Sequence, residues 1–148
     1  MDGINHLDIA VTKSILKRYK KNKDMIFWLR KRLVSLESRI ESTKSPGISD
    51  MPKGGEHTSK EDLIAEKVDL ERRLRNLEAK GSRLRTETLD MIDNLDNVHE
   101  AEVLERYLIN GEDFDVIAIA MKFTERHVVR LYTSAVSKIA VLRQETVR

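Results

Sequence analysis

The chain has 148 residues, about one domain's worth, of which only 5% are aromatic and 35% are charged, with 6 Gly and 2 Pro. That mixture excludes sandwiches and barrels, which need turn residues and β-branched or aromatic strands, and favours helices rich in Leu, Glu, Lys and Arg. With no cysteine and a net charge of +2, it also excludes a disulfide framework, a thiolate metal site and any argument for nucleic-acid binding from total charge alone.

The first residues, "MDGINHLDIAVTKS", lack the basic segment and apolar run of a signal peptide. No apolar stretch approaches the roughly 18 residues of a membrane span. The expectation is a soluble cytoplasmic protein without a membrane partner. Residues 1–44 read as a basic helical region. Ile4, Leu7, Val11, Ile15 and Tyr19 recur at helical spacing, and Ile26, Leu29, Leu33, Leu36 and Ile40 then alternate three and four as a heptad seam does. "KKNKD" between them either breaks or bends the path. Between residues 13 and 32, nine bases (Lys13, Lys17, Arg18, Lys20, Lys21, Lys23, Arg30, Lys31, Arg32) face the single acid Asp24. Such a run is a solvated face or a phosphate-binding patch. Phe27 and Trp28 lie within it. They are expected to act as hydrophobic anchors, although an aromatic beside Arg30 and Lys31 also suits stacking on a base.

Residues 45–58 hold both prolines, Pro46 and Pro52, with Gly47, Gly54 and Gly55, and read as a long loop. "PKGG" lacks the Gly-Lys-Ser/Thr order of a phosphate-cradling loop. Over 59–95 a long helix is predicted, with Ser59 as its cap. Its seam is Leu63, Lys67, Leu70, Leu74, Leu77, Gly81, Leu84, Thr88, Met91 and Leu95. Two seamed helices joined by one loop form either an antiparallel hairpin or a coiled coil between subunits, and periodicity does not separate these.

The last third, 97–142, reads as a compact unit followed by a tail at 143–148. One helix covers 98–109 with Leu104 and Leu108 on its apolar side, and Asn110-Gly111 stops it. The acids Glu100, Glu102, Glu105, Glu112, Asp113 and Asp115 cluster here. A short helix follows over about 113–121, and another runs from Glu125 to about residue 142 with Thr124 as its cap. In "AMKFTERHVVR" the apolar register slips at Lys122 and Phe123 because one helix ends and the next begins. A steep crossing of these two helices needs Ile117, Met121 and Phe123 on one side, Val128 and Leu131 on the other, and the small Ala118 at closest approach.

The run "RYLINGEDFDVIAIAMKFTERHVVRLYTSAVSKIA" resembles the helix-turn-helix of sigma-factor region four. The likeness rests on Tyr107, Leu108, Gly111, Phe114, Ile117, Ala118, Met121, Phe123, Thr124, Val128, Leu131, Ala135, Lys138 and Ile139. With "SPGISDMPKGG" between two charged helices, the whole chain resembles the small phage-encoded late transcription regulators of the ArpU and RinA group. One departure stands out: Lys122 occupies a turn position where that pattern usually has glycine.

The resemblance implies an all-α fold with a C-terminal helix-turn-helix. It also implies a transcription regulator, an activator of phage or prophage late genes, working on double-stranded DNA with RNA polymerase as a further partner and as a homo-oligomer. The residues expected to meet DNA are Lys122, Thr124, Glu125, Arg126, His127, Arg130, Thr133 and Ser134, with Arg126 and Arg130 four apart on one face. Two other readings use the same features: a small DNA-packaging (terminase small) subunit, and a coiled-coil adaptor that binds protein. His6, His57, His99 and His127 are too dispersed for a metal cluster, and no nucleophile motif is present. Neither catalysis nor a cofactor is expected.

Overall fold

The computed structural model describes residues 5–43 and 59–147. These contain six α-helices and no strand: α1 (His6–Leu16), α2 (Arg18–Ser42), α3 (Lys60–Asp93), α4 (Val98–Leu104), α5 (Phe114–Met121) and α6 (Glu125–Val147). The loop expected at 45–58, with "PKGG" and His57, and the first seam residue Ile4 lie outside the described residues. The chain forms two compact units. One gathers the residues up to Asn22 with those from Gly81 onward, and the other is Lys23–Lys80.

Within the unit Lys23–Lys80, the predicted seams meet each other. Leu29, Leu36, Leu63, Leu70 and Leu74 are buried in one cluster, with Ile26, Leu33, Ile40 and Leu77 packed against it. Both heptad faces are therefore satisfied inside one chain. Of the two arrangements that periodicity left open, the hairpin is the one formed, and the seams expose no leucine row for a second subunit. Arg30 donates to Glu78 across the helix pair at 2.6 Å; both side chains are exposed, so this pair adds at most about 1 kcal/mol. Ser59 Oγ accepts the Asp62 N–H at 3.2 Å, which gives α3 its expected start.

The path between the first two helices turns at Lys17, whose φ and ψ are −81° and −4°. "KKNKD" does not break the path: it lies inside α2, with Lys21, Lys23 and Asp24 exposed and Asn22 buried. Phe27 and Trp28 depart from the expectation of anchors. They are 62% and 57% exposed, since Ile26 and Leu29 already occupy the inward positions and a helix offers only one such stripe.

The other unit is built on Leu16, Val103, Leu104, Leu108, Ile117, Val128, Ala135, Val136 and Ile139, all at 1% exposure or less. Asn97 caps α4 by accepting from the N–H groups of His99 and Glu100. The helix expected over 98–109 does continue, but it widens at Glu105–Ile109 into a π turn, in which Asn110 N–H reaches Glu105 O. Gly111 then takes φ 73°, the left-handed conformation that favours glycine. Arg106 ties this corner down by donating to Glu102 at 3.0 Å and to Glu112 at 3.2 Å. The bonds to Glu102 and then Glu112 hold its guanidinium above the ordinary arginine range.

Two boundaries differ from the expected division. Residues 143–147 are not a tail, because α6 continues to Val147. Its last turns are held by α1: Arg143 Nη1 donates to Thr12 Oγ1 at 2.8 Å, and Gln144 Nε2 to Asp8 Oδ2 at 2.8 Å. For the same reason, α1 does not belong with a separate basic region over 1–44. It packs on α6 and completes the C-terminal core.

Tyr107, Phe114 and Tyr132 pack as an aromatic trio, with centroids 4.5 to 5.3 Å apart. The Tyr132 hydroxyl is buried without a partner among the described residues. Burial, followed by the Tyr107 phenol, raises its pKa above 10.0. A raised folded pKa means stability that is intact below the unfolded value and lost as pH climbs through the folded one. Stability should therefore decline above about pH 10. Tyr132→Phe should remove that contribution to the alkaline decline and leave neutral-pH stability equal to wild type or raised by about 1 kcal/mol. Denaturant melts at pH 7 and pH 10.5 check both parts.

Candidate nucleic-acid interface

The turn between α5 and α6 follows from its hydrogen bonds. Phe123 N–H donates to Ala118 O at 2.9 Å and Lys122 N–H to Ile119 O at 3.3 Å. These are the two bonds of a Schellman cap, which requires its middle residue to be left-handed. That residue is Lys122, at φ 60° and ψ 41°. Here the departure from glycine carries a cost, because a side chain at Cβ crowds the following carbonyl by about 1–2 kcal/mol.

The next helix begins at once. Thr124 Oγ1 accepts the His127 N–H at 3.1 Å, and Glu125 sits in the first turn, where the helix dipole favours an acid. Ile117 and Val128 are at 0% exposure, Ala118 at 6%, and Met121, Phe123 and Leu131 pack against the same core. All six expected packing positions are filled as the sequence predicts.

The eight expected contact residues divide into two groups. Lys122, Thr124, Glu125, Arg126, His127, Arg130 and Thr133 are exposed. Arg126, Arg130 and Thr133 stand at helical spacings of four and three on α6, so they share one outward face. His127 is partly committed elsewhere: its ring meets Phe123 edge-on at 4.7 Å, and Phe123 in turn meets His99 at 5.3 Å. Ser134 is the exception. It is half-buried and donates to Glu100 Oε1 at 2.7 Å, so it links α6 to α4 and faces away from the exposed stripe.

Glu100 is the residue that sequence reasoning missed. It is 3% exposed and also accepts from Lys138 Nζ at 3.0 Å. A buried carboxylate needs such partners; Oε1 takes both bonds, while Oε2 is buried without a partner among the described residues. The available signal was local: Glu100 lies three residues after the capping Asn97. Lys138 and Arg143 thus each have a partner within the fold, Glu100 and Thr12 respectively. Among the described residues, no acidic side chain pairs with Lys122, Arg126 or Arg130. These three cations lie within nine residues of one another, at the turn and on the start of α6.

No match is found to any protein-family model, curated protein or solved structure. Among the described residues, no helix is long and apolar enough to cross a membrane.

Lys122→Gly should make the fold more stable, by about 0.5–1 kcal/mol, once relief of the left-handed strain is offset against the greater freedom of glycine in the unfolded chain. Chemical denaturation reads this directly. If Lys122 also meets phosphate, the same variant binds DNA more weakly, so stability and affinity move in opposite directions.

Proposed function

We propose that α5 and α6 form a helix-turn-helix and that the protein is a sequence-specific DNA-binding transcription regulator, an activator of phage or prophage late genes. The observation that carries this reading is the stripe Arg126, Arg130 and Thr133 at the start of α6. Among the described residues it is exposed and has no acidic partner, on the helix that follows the Schellman turn at Lys122. An α-helix fits the major groove of duplex DNA. An arginine in its first turn pairs with guanine through two hydrogen bonds, while Lys122 and Thr124, at the turn, suit the phosphate backbone. Glu125 and His127 flank this stripe and would tune which bases are accepted.

One such helix reads few bases, so two copies on adjacent half-sites are part of the proposal. The heptad seams do not supply that pairing, because they are buried within one chain; another surface must. RNA polymerase is the protein partner an activator requires.

The test is selection of duplexes from a random pool by the purified protein, followed by transcription from a promoter carrying the selected site. A recurrent paired motif and protein-dependent transcription are expected. Binding without sequence preference would reject the reading. A motif without any effect on transcription would point instead to a packaging role.

A further inference from the structure

The chain has seven aromatic residues, and the structure describes all of them. Five, Tyr19, Tyr107, Phe114, Phe123 and Tyr132, belong to or pack against one core. The other two are neighbours on α2: Phe27 is 62% exposed and Trp28 57%, with Met25 beside them at 40%. Leaving a large apolar side chain in water forgoes its burial energy. Single exposed apolar residues are ordinary, but an adjacent set on one helix marks a contact surface. The inward face of α2 is already complete with Ile26, Leu29, Leu33 and Leu36, so nothing in the hairpin competes for this pair.

The surroundings indicate what the surface would meet. Lys31 and Arg32 follow Trp28 by three and four residues, so they rise beside it on the helix. Neither has an acidic partner among the described residues. Lys31 Nζ lies 4.4 Å from the centre of the Phe27 ring, which keeps that ring and its cation together. Across positions 23–32 the only acid is Asp24. Aromatic faces beside cations that form no ion pair among the described residues, with Arg32 bordering Glu66 and Asp69 across the hairpin, complement a ligand with flat faces between anions.

We infer that this part of α2 is a binding surface for single-stranded nucleic acid, with Trp28 and Phe27 stacking on unpaired bases and Lys31 and Arg32 meeting the adjoining phosphates. Duplex DNA hides its base faces, so this surface differs in substrate from the α6 stripe. Stacking is sequence-tolerant because every base has a π face. The inference does not depend on the reading of α6.

Trp28 is the chain's one tryptophan, so its fluorescence reports this surface directly. Full-length protein is titrated with an oligo(dT) of about 16 nucleotides, with a random duplex of equal length, and with vesicles of phosphatidylserine and phosphatidylcholine. The expected result is quenching by oligo(dT) and little change with the other two. With a labelled oligo(dT), Trp28→Leu should weaken binding about tenfold, and the double variant Lys31→Glu with Arg32→Glu should weaken it further. Arg126→Ala should leave it unchanged. All these positions are exposed, so the variants keep their fold, and matching circular dichroism melts verify that.

Absence of quenching by oligo(dT), or equal affinity of Trp28→Leu and wild type, overturns the inference. A response to vesicles alone overturns it in favour of a lipid surface. If Arg126→Ala abolishes duplex selection while oligo(dT) binding persists, both readings stand. If duplex selection fails in wild type and oligo(dT) still quenches, only the α6 reading falls.

Discussion

Ile117→Ala is expected to lower stability by about 2–5 kcal/mol, the usual cost of emptying a fully buried aliphatic position. Ile117 is at 0% exposure, in the same core cluster as Ala118, Val128, Tyr132 and Ala135. The cavity would open where α5 packs against α6, and α5 has only eight residues with which to close it. For a chain of this size the melting midpoint should fall by about 10 °C. Ile119 provides the internal control: two residues on, it is 80% exposed, and Ile119→Ala should change stability by no more than about 0.5 kcal/mol. Ala118→Leu tests the opposite error, because overfilling a packed contact costs about 1–3 kcal/mol. Parallel calorimetric melts decide the matter. If Ile117→Ala and Ile119→Ala melt alike, α5 is not held in the described orientation.

The second large effect concerns DNA and follows from the proposed reading. Arg126→Ala should cost about 1–3 kcal/mol on the selected duplex and flatten the preference for it over scrambled sequence, because an arginine paired with a guanine edge carries both affinity and discrimination. Lys122→Ala should weaken selected and scrambled duplexes alike. It should also reduce the salt dependence by about one unit, the signature of one lost phosphate contact. Arg130 shares the face of Arg126 and is expected to behave like it. Salt titrations on both duplexes separate these outcomes. Identical behaviour of Arg126→Ala and Lys122→Ala would mean that α6 does not enter the groove. No effect of any of the three on either duplex would remove DNA reading by this turn altogether.

What could be read without a structure was what depends on neighbours in the chain. The seams Ile26 to Ile40 and Leu63 to Leu95, the caps Ser59 and Thr124, the stop at Gly111 and the turn at Lys122 are properties of a single helix or one of its ends. They depend on 3.6 residues per turn and on groups within four positions of each other. The six residues filling the angle between α5 and α6 were legible for the same reason, since all lie within fifteen residues.

What needed the tertiary structure was the choice of partners. A heptad seam is equally apolar whether it meets its own chain or another, and only folding shows that Leu29 and Leu36 share a cluster with Leu63 and Leu70. Phe27 and Trp28 were expected to be anchors because they are aromatic, yet burial goes to whichever face the opposite helix covers. Ser134 was grouped with the exposed arginines because nothing near it in sequence marks Glu100, thirty-four residues earlier, as its acceptor. The same holds for α1, which joins α6 through Thr12 and Arg143, 131 residues apart. Helix periodicity determines which residues lie together on a face. Which face is buried, and against what, depends on packing between distant segments, and no local pattern encodes that.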